Sequence, residues 1–265
     1  MLEDTTFIIP LRIESTDRLR NAITTLIFLL SNFNSKIILQ EEDVESKFRE
    51  DVLPQITQVV DIKNLNHVFV HSNNPIFHRT RIINEMLNVV DTKVVCNYDC
   101  DILLKPETYI KSEKIILNDE IDCVYPYGIG DWQYQVNADD ALVTDFINED
   151  FDFSILEKKS KIWDAKYGFC QFFNREKYIK FGMENENFIS YGYEDDERNY
   201  RFAKLSNLAR LDEYVYHLEH SRTQNSWFSN PHIQDNKNVW EEIKKYNKSE
   251  LLDYYKNQDY LKKYN

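Results

Sequence analysis

Length, composition and charge limit what this chain can be. It has 265 residues, of which 42% are hydrophobic, enough for one large α/β domain or at most two small ones. Its formal net charge is −13 and no long basic stripe occurs, so nucleic acid is not an expected partner. An acidic protein can still bind an anionic ligand where a divalent cation and a few arginines neutralise it locally.

Cysteine usage and the short hydrophobic runs indicate a reducing compartment. No C-x-x-C pair occurs, so free buried thiols are favoured over disulfides at all four cysteines: Cys96, Cys100, Cys123 and Cys170. No signal peptide is recognisable at the start of the chain, and the apolar run at 23–30 is too short to span a bilayer. We therefore expect a cytoplasmic protein without a transmembrane segment, with peripheral membrane association left open.

The first hundred residues alternate between strand and helix patterns. Short apolar runs predict strands at 6–10, 36–40, 66–71 and 93–98. Between them, helical spacing predicts a helix capped by Ser15, a second helix over 44–53 and an amphipathic third over 76–90. Such alternation builds a parallel sheet covered by helices on both sides, with ligands bound beyond the carboxyl ends of the strands.

The second half of the chain is less regular. Strand patterns recur at 121–127 and 168–173, and the polar, aromatic stretch at 128–166 is a candidate for a mobile region over the site. The last stretch, 237–265, has a helical pattern with Ser249 as an internal cap. We predict one domain over 1–235 and a C-terminal helical tail over 236–265.

An acidic pair follows the fourth predicted strand. Carboxylates at i and i+2 point the same way at a strand end and can bind a hard cation, which makes Asp99-Cys100-Asp101 a candidate metal motif. The pattern alone is weak, because Asp150-Phe151-Asp152 repeats it without a clear strand before it. A solvated pair of loop acids explains the first match about as well.

Two further clusters have comparable structural alternatives. His217-Leu218-Glu219-His220 can complete a cation's shell, but on a strand residues i and i+3 face opposite sides, and one capping and one core histidine would also explain it. The run Glu194-Asp195-Asp196-Glu197 can supply a general base, and it equally suits a solvated helix N-terminus.

Taken together, the motifs resemble those of β-1,4-galactosyltransferases, and bacterial chondroitin-polymerase-type transferases share several of them. The family's P-F-R and F-N-R-A-K-L-L-N are similar to Pro10-Leu11-Arg12 and Phe77-His78-Arg79-Thr80-Arg81-Ile82-Ile83-Asn84. Its D-V-D, W-G-G-E-D-D-D and M-I-R-H-S-R are similar to Asp99-Cys100-Asp101, Tyr191-Gly192-Tyr193-Glu194-Asp195-Asp196-Glu197 and His217-Leu218-Glu219-His220-Ser221-Arg222. Order and approximate spacing agree over most of residues 7–235.

The resemblance implies an α/β fold of the GT-A type, a Rossmann-like mixed sheet flanked by helices. It implies an inverting, metal-dependent glycosyltransferase that moves a hexose or N-acetylhexosamine from a UDP-sugar to a saccharide hydroxyl, with Mn²⁺ or Mg²⁺, in bacterial-type surface polysaccharide or glycan synthesis. The residues implied for the nucleotide are Pro10, Arg12, Phe77 and Arg79. Asp99 is implied for the ribose or donor sugar, and Asp101, His217 and His220 are implied for the metal. Glu194 is implied for the acceptor and Asp195 as the base.

Several positions depart from the family's pattern. His217 stands where the animal enzymes have a methionine ligand, and histidine suits a borderline or hard cation better than a thioether. Glu14 replaces a second arginine, Tyr191 replaces a tryptophan, and Phe169 replaces the second glycine of a donor-side pair that leaves Gly168. The pattern therefore does not assign the donor sugar.

Two other functions use the same residues. A metal-dependent phosphoesterase or nucleotide-sugar hydrolase would activate water with these acids and histidines, and a non-catalytic nucleotide-sugar-binding protein would turn nothing over. The dependence of UDP release on an acceptor sugar distinguishes all three.

Overall fold

The computed structural model describes residues 2–226 and 229–264. Met1, the first residue of the predicted domain, and Asn265, the last residue of the predicted tail, lie outside the described residues. The described strands are β1 (Thr5–Leu11), β2 (Lys36–Asp43), β3 (Leu65–His71), β4 (Val94–Tyr98), β5 (Ile102–Leu103), β6 (Cys123–Tyr125), β7 (Gly130–Val136), β8 (Ser160–Ala165), β9 (Cys170–Asn174), β10 (Leu208–Arg210) and β11 (Val215–Leu218). The described helices are α1 (Thr16–Asn32), α2 (Leu53–Ile56), α3 (Arg79–Val89), α4 (Pro106–Leu117), α5 (Asp140–Asn148), α6 (Phe153–Glu157), α7 (Arg175–Lys180), α8 (Glu194–Leu205), α9 (Ile233–Ile243) and α10 (Lys248–Lys256).

Seven strands form the central sheet, in the order β10-β6-β9-β4-β1-β2-β3. The strand β1 is buried along its whole length, as a strand covered on both faces must be, and its sequence TTFIIPL offers no charge to solvate. It pairs in parallel with β2 and β4, whereas β9 runs antiparallel to β4 and β6. The predicted fold class, an α/β mixed sheet flanked by helices, is confirmed; the sheet is not purely parallel.

The helix predicted at 44–53 is present with shifted bounds, and its first part is π-helical. The chain makes a π-helical turn at Phe48–Val52, and the short α2 follows it. The carboxylate of Glu41 accepts the N–H of Phe48 at 2.9 Å, which satisfies that group outside a helix. Further on, Pro54 has no N–H to donate to the carbonyl four residues earlier, so the regular α-helical ladder is interrupted there.

Residues 128–166 contribute two strands, β7 and β8, to a second, four-stranded layer, and the mobility expected of this stretch stays a prediction. The strand order of the layer is β5-β11-β7-β8. Phe28 of α1 packs edge-on against Phe153 with ring centroids 5.8 Å apart, so the layer docks on the central domain through aromatic contacts. Asp152, from the second D-x-D match, caps α6 by accepting the N–H of Ser154, which is a structural role.

The C-terminal helices pack against α8. The guanidinium of the fully buried Arg201 lies 4.4 Å from the ring centroid of Tyr255 in α10. The hydroxyl of Tyr255 donates to the buried Glu197 on the same face of α8. The side chain of Asn247, and not the predicted Ser249, caps α10. A domain boundary at 235/236 stays a prediction.

The cysteines and the hydrophobic segments bear on the expected compartment. All four cysteines are free, and Cys96, Cys123 and Cys170 are buried, whereas Cys100 is partly exposed. Within 2–226 and 229–264, no helix combines the length and apolar character needed to cross a membrane.

Gly182 is the position where the C-terminal helices tolerate no side chain. Its φ of +101° is left-handed, and a Cβ there would lie 2.3 Å from Cδ1 of Tyr255. Gly182→Ala should lower the free energy of unfolding by about 2–5 kcal/mol, because left-handed strain adds to overpacking. Gly130→Ala is the matched control, since φ is +85° and nothing lies within 4 Å of its Cβ; it should lower the free energy by about 1–2 kcal/mol. Equal losses in urea unfolding would contradict the packing argument.

Candidate active site

The motif residues come together at the carboxyl edge of the central sheet. The acidic pair follows β4 directly, as predicted from the apolar run before it. Strand β11 pairs antiparallel with β5, which places His217 opposite Ile102, and the N–H of Leu218 donates to the carbonyl of Asp101 at 2.8 Å. Backbone pairing therefore carries the histidine motif to the acidic motif across more than a hundred residues of sequence.

Asp101, His217 and His220 form one cluster. Nε2 of His220 lies 3.1 Å from Oδ2 of Asp101, and Nε2 of His217 lies 4.0 Å from the same oxygen. One possible ligand atom from each residue lies within 4.8 Å of the others. Because β11 ends at Leu218, His220 is outside the strand, and the alternation that would separate residues i and i+3 does not apply.

Hydrogen bonds fix which ring nitrogens face the cluster. Nδ1 of His220 lies 2.9 Å from the carbonyl of Ser221, which can only accept, so this nitrogen carries the proton. Nδ1 of His217 lies 2.6 Å from Oε1 of Glu219, so it donates in the same way. In the neutral rings both Nε2 lone pairs then face Asp101, an arrangement typical of oriented metal ligands. These three residues fit a divalent cation.

The charge state of Asp101 also suits a ligand. Burial alone would raise the pKa of its carboxyl. When both rings are protonated, the hydrogen bond from His220 and the charges of both histidines outweigh burial and lower the pKa to about 2. The carboxyl group is therefore an anion at neutral pH.

Two buried arginines hold the remaining acids. Nη2 of Arg79 donates to Asp99 at 2.6 Å, and its Nη1 lies 3.9 Å from Oδ1 of Asp195. Nη1 of Arg198 donates to the same oxygen of Asp195 at 2.8 Å, while its Nε and Nη2 bind Glu184 at 2.7 and 2.8 Å. One oxygen of Asp195 is thus occupied by arginine and only Oδ2 is left for a substrate.

Gly168 leaves room beside that remaining oxygen. A Cβ at Gly168 would lie 3.1 Å from Oδ2 of Asp195, so a side chain there would crowd the carboxylate. The next residue, Phe169, adopts a left-handed φ of +70°, a conformation in which a glycine is unstrained. Its ring centroid lies 5.8 Å from that of His217, so the departure from the glycine pair places an aromatic ring beside the cation cluster.

Two buried polar atoms between these groups have no hydrogen-bond partner among the described residues. They are Nη1 of Arg79 and Oε1 of Glu194. The other oxygen of Glu194 accepts the N–H of Gly192 at 2.5 Å. Since buried polar atoms are nearly always hydrogen-bonded, two such atoms around Asp195 mark a place where a polar ligand binds.

Burial changes the protonation of Glu194. Burial, and then the neighbouring charge of Asp195, raise the pKa of its carboxyl from 4.5 to about 8. The group is therefore mostly protonated at neutral pH and able to donate a hydrogen bond, unlike Asp101.

The residues expected at the nucleotide lie beyond β1. Nε of Arg12 donates to the carbonyl of Glu42 at 2.8 Å and its Nη1 to the carbonyl of Pro75 at 3.0 Å. The guanidinium sits 5.0 Å from the ring centroid of Phe77, and its Nη2 is buried without a hydrogen-bond partner among the described residues. Pro10 is buried in β1, two residues earlier.

Three residues of this site were not predicted from the sequence: Glu219, Arg198 and Glu184. The hydrogen bond from His217 to Glu219 could have been anticipated, because the acid lies inside the motif. The pair of Asp195 with Arg198 follows helical i, i+3 spacing, a recognisable signal. Glu184 lies in a loop, and no local pattern relates it to Arg198.

Solved structures share this fold at low sequence identity. The mannosyltransferase PcManGT from Pyrobaculum calidifontis, in complex with GDP-Man and Mn²⁺, matches with a TM-score of 0.53 and 12% identity over 83% of this chain and 58% of that one. S. aureus TarS 1–349 matches with a TM-score of 0.50 and 12% identity over 80% and 60%. The catalytic domain of Drosophila β1,4-galactosyltransferase 7, in complex with xylobiose, has a TM-score of 0.44 and 13% identity over 82% and 71%, too low to support an argument.

These matches establish the GT-A type of fold and not the subfamily. The chain spans about three fifths of the length of the first two structures. No family model matches it, and no curated protein does. The resemblance to β-1,4-galactosyltransferases stays a prediction.

The raised pKa of Glu194 gives a prediction about stability. Below pH 4.5 this carboxyl is protonated in both the folded and the unfolded chain. As pH rises to about 8, the unfolded chain ionises first, and the wild-type protein loses stability. Glu194→Gln cannot ionise and does not lose this stability. The difference in free energy of unfolding, variant minus wild type, should therefore grow by about 3–5 kcal/mol from pH 4.5 to pH 8.5.

Urea unfolding of both proteins across this range measures the difference. Glu213→Gln, at a partly exposed acid, is the control and should follow wild type. Parallel curves for Glu194→Gln and wild type would show that the carboxyl of Glu194 is not perturbed.

Proposed function

We propose that this protein is an inverting, metal-dependent glycosyltransferase that moves a hexose or N-acetylhexosamine from a UDP-sugar to a saccharide hydroxyl. One observation supports it above the others. Arg79 lies between Asp99 and Asp195, and Asp99 adjoins the cluster of Asp101 and the two histidines. One buried N–H group of Arg79 has no hydrogen-bond partner among the described residues. A cation site and an open carboxylate oxygen thus lie on either side of one unsatisfied arginine.

The donor's nucleotide is assigned to the residues beyond β1. Phe77 offers an apolar face for the base, whereas Pro10 is buried in β1. Nη2 of Arg12 lies 3.9 Å from Oε1 of Glu42 without a hydrogen bond to any described residue and can donate to the base edge or a phosphate. Asp99 is assigned to the ribose or the donor sugar. Arg79 holds Asp99 and supplies the free N–H group that faces the reacting part of the donor.

The metal is assigned to Asp101, His217 and His220. When bound, a divalent cation stabilises the negative charge that develops on the departing diphosphate. Two imidazoles with one carboxylate favour Mn²⁺ over Mg²⁺, because Mg²⁺ prefers oxygen ligands and water. The PcManGT complex with GDP-Man and Mn²⁺ is consistent with this choice. Glu219 and the carbonyl of Ser221 orient the two imidazoles.

Asp195 is assigned as the general base. Arg198 holds Oδ1, so Oδ2 takes the proton of the acceptor hydroxyl. At the same time the hydroxyl oxygen of the acceptor attacks the anomeric carbon of the donor sugar. The bond from this carbon to the phosphate oxygen breaks, and UDP leaves with the electron pair. One displacement inverts the anomeric configuration. Glu194, protonated at neutral pH, donates a hydrogen bond to the acceptor.

The two alternative functions, hydrolase and non-catalytic binding protein, give different results in an assay of UDP release. A hydrolase would release UDP from a UDP-sugar at full rate without an acceptor, and a binding protein would release none. A thermal-shift screen of UDP-sugars with Mn²⁺ identifies the donor before either assay, because a bound ligand stabilises the folded state.

The metal site is tested by cation binding rather than by turnover. Asp101→Ala should abolish Mn²⁺ binding measured by electron paramagnetic resonance titration, because it removes the ligand oxygen between the histidines. Glu219→Gln should weaken it by about 10–100-fold, the usual cost of losing a partner that orients a ligand. Glu213→Gln serves again as the control, with unchanged affinity. Wild-type Mn²⁺ affinity in Asp101→Ala would refute the assignment.

The base is tested by separating chemistry from binding. Asp195→Asn keeps the side-chain shape and removes the proton acceptor, so the transfer rate should fall about 10²–10⁴-fold. Affinities for UDP and Mn²⁺ should not change, since other residues bind them. Asp196→Asn is the matched control, because Asp196 has no arginine partner within residues 2–226 and 229–264. This variant should transfer sugar normally. Loss of UDP binding in Asp195→Asn would instead make Asp195 a donor residue.

A further inference from the structure

One face of the four-stranded layer carries polar side chains next to the cation cluster. Register pairs His217 of β11 with Gln135 of β7, and Gln135 with Lys161 of β8, so these three side chains stand side by side on one face. The opposite face carries Tyr216, which packs against Phe153 of α6 with ring centroids 4.7 Å apart. The polar face therefore runs from the cation cluster outward to the edge strand β8.

A pocket of about 480 Å³ lies on this face. Its lining is polar or charged throughout: Gln135, Asn137, Lys159, Ser160, Lys161 and Glu219. Oε1 of Gln135 is buried and has no hydrogen-bond partner among the described residues. The carboxylate of Glu219 already binds His217, so it stands between the pocket and the cation cluster.

The two lysines make the pocket cationic in an acidic protein. Among the described residues neither Lys159 nor Lys161 has a carboxylate partner, whereas Lys166, beyond the other end of β8, lies 3.7 Å from Asp164. Nζ of Lys161 lies 5.1 Å from the ring centroid of Trp163, two residues along the same face. Trp163 is 53% exposed, so a face of its ring is open for stacking on a ligand.

Strand β8 connects this pocket with the proposed base. It begins at Ser160 in the pocket and ends at Ala165, three residues before Gly168, which faces Oδ2 of Asp195. Six residues of strand cover about 17–20 Å. A molecule that reaches from the base to the lysines is therefore an oligosaccharide and not a single sugar.

We propose that this face binds an anionic oligosaccharide acceptor, with a carboxylate or phosphate of a distal unit at Lys159 and Lys161 and a sugar ring stacked on Trp163. This inference rests on the proposed function and names the acceptor's chemical class. The donor's diphosphate is a less suitable occupant, because the carboxylate of Glu219 separates the pocket from the cation cluster.

Binding of defined oligosaccharides by calorimetry tests the proposal. The probes are a uronic acid tetrasaccharide, the same compound with its carboxyls reduced to alcohols, and a phosphodiester-linked sugar oligomer of equal length. Wild type should bind one charged probe about tenfold or more tighter than the neutral one, with the preference falling at higher salt. Which charged probe binds distinguishes carboxylate from phosphate.

Variants assign the binding to this face. The double variant Lys159→Gln/Lys161→Gln should abolish the preference for charged over neutral probes. Trp163→Ala should lower the affinity for every probe that binds wild type. Lys158→Gln is the charge-matched control, since Lys158 adjoins the pocket without lining it, and it should behave like wild type. All these side chains are exposed, so folding is preserved, and the Kd for UDP with Mn²⁺ should be unchanged in each.

Every other result contradicts the proposal. Equal binding of charged and neutral probes, no binding of any probe, or a preference that survives loss of both lysines would each overturn it. A lower UDP affinity in the lysine variant would assign the pocket to the donor. If wild type binds Mn²⁺ and UDP but shows no charge preference, the acceptor inference fails while the proposed function stands; if it binds neither, the proposed function itself fails.

Discussion

Buried arginine–carboxylate pairs fix the acids of the site, and most of its geometry depends on them. Arg198 is fully buried and distributes its N–H groups over Glu184, Asp195 and Gln171. Removing such charges from water costs several kcal/mol per ion, which the pairs offset only while each partner is in place. Loss of one partner typically costs about 3–5 kcal/mol. The orientation of Asp195 is therefore set by the folded core before any substrate binds.

The cation cluster is pre-organised by a different means. Its acid follows a buried parallel strand, and its histidines follow a short strand that reaches this edge only because β11 pairs with β5. The side chains are then oriented by groups outside the cluster, Glu219 and the carbonyl of Ser221. Because Arg79 binds Asp99 and approaches Asp195, the two preformed halves share one buried arginine. The cation cluster and Asp195 are thus linked through a single guanidinium.

Local pattern predicts some of these features and not others. An apolar run ends where Asp99 and Asp101 begin, and an acidic first turn indicates the start of α8, so both could be placed from sequence. The strands at 128–166 could not, since their apolar face is defined by α6 and by the distant Phe28, which no local period specifies. The contact of Glu184 with Arg198 likewise depends on tertiary packing alone.

Two departures from the family motif explain each other. The family's M-I-R-H-S-R has methionine and arginine where this chain has His217 and Glu219. A thioether needs no hydrogen bond, but a buried imidazole has an Nδ1–H group that must be satisfied, and Glu219 accepts it at 2.6 Å. Arginine at that position would leave the group unpaired and place a positive charge beside His217. A carboxylate instead increases the basicity of Nε2 of His217. Histidine at 217 therefore requires an acceptor at 219, and the two changes act as one.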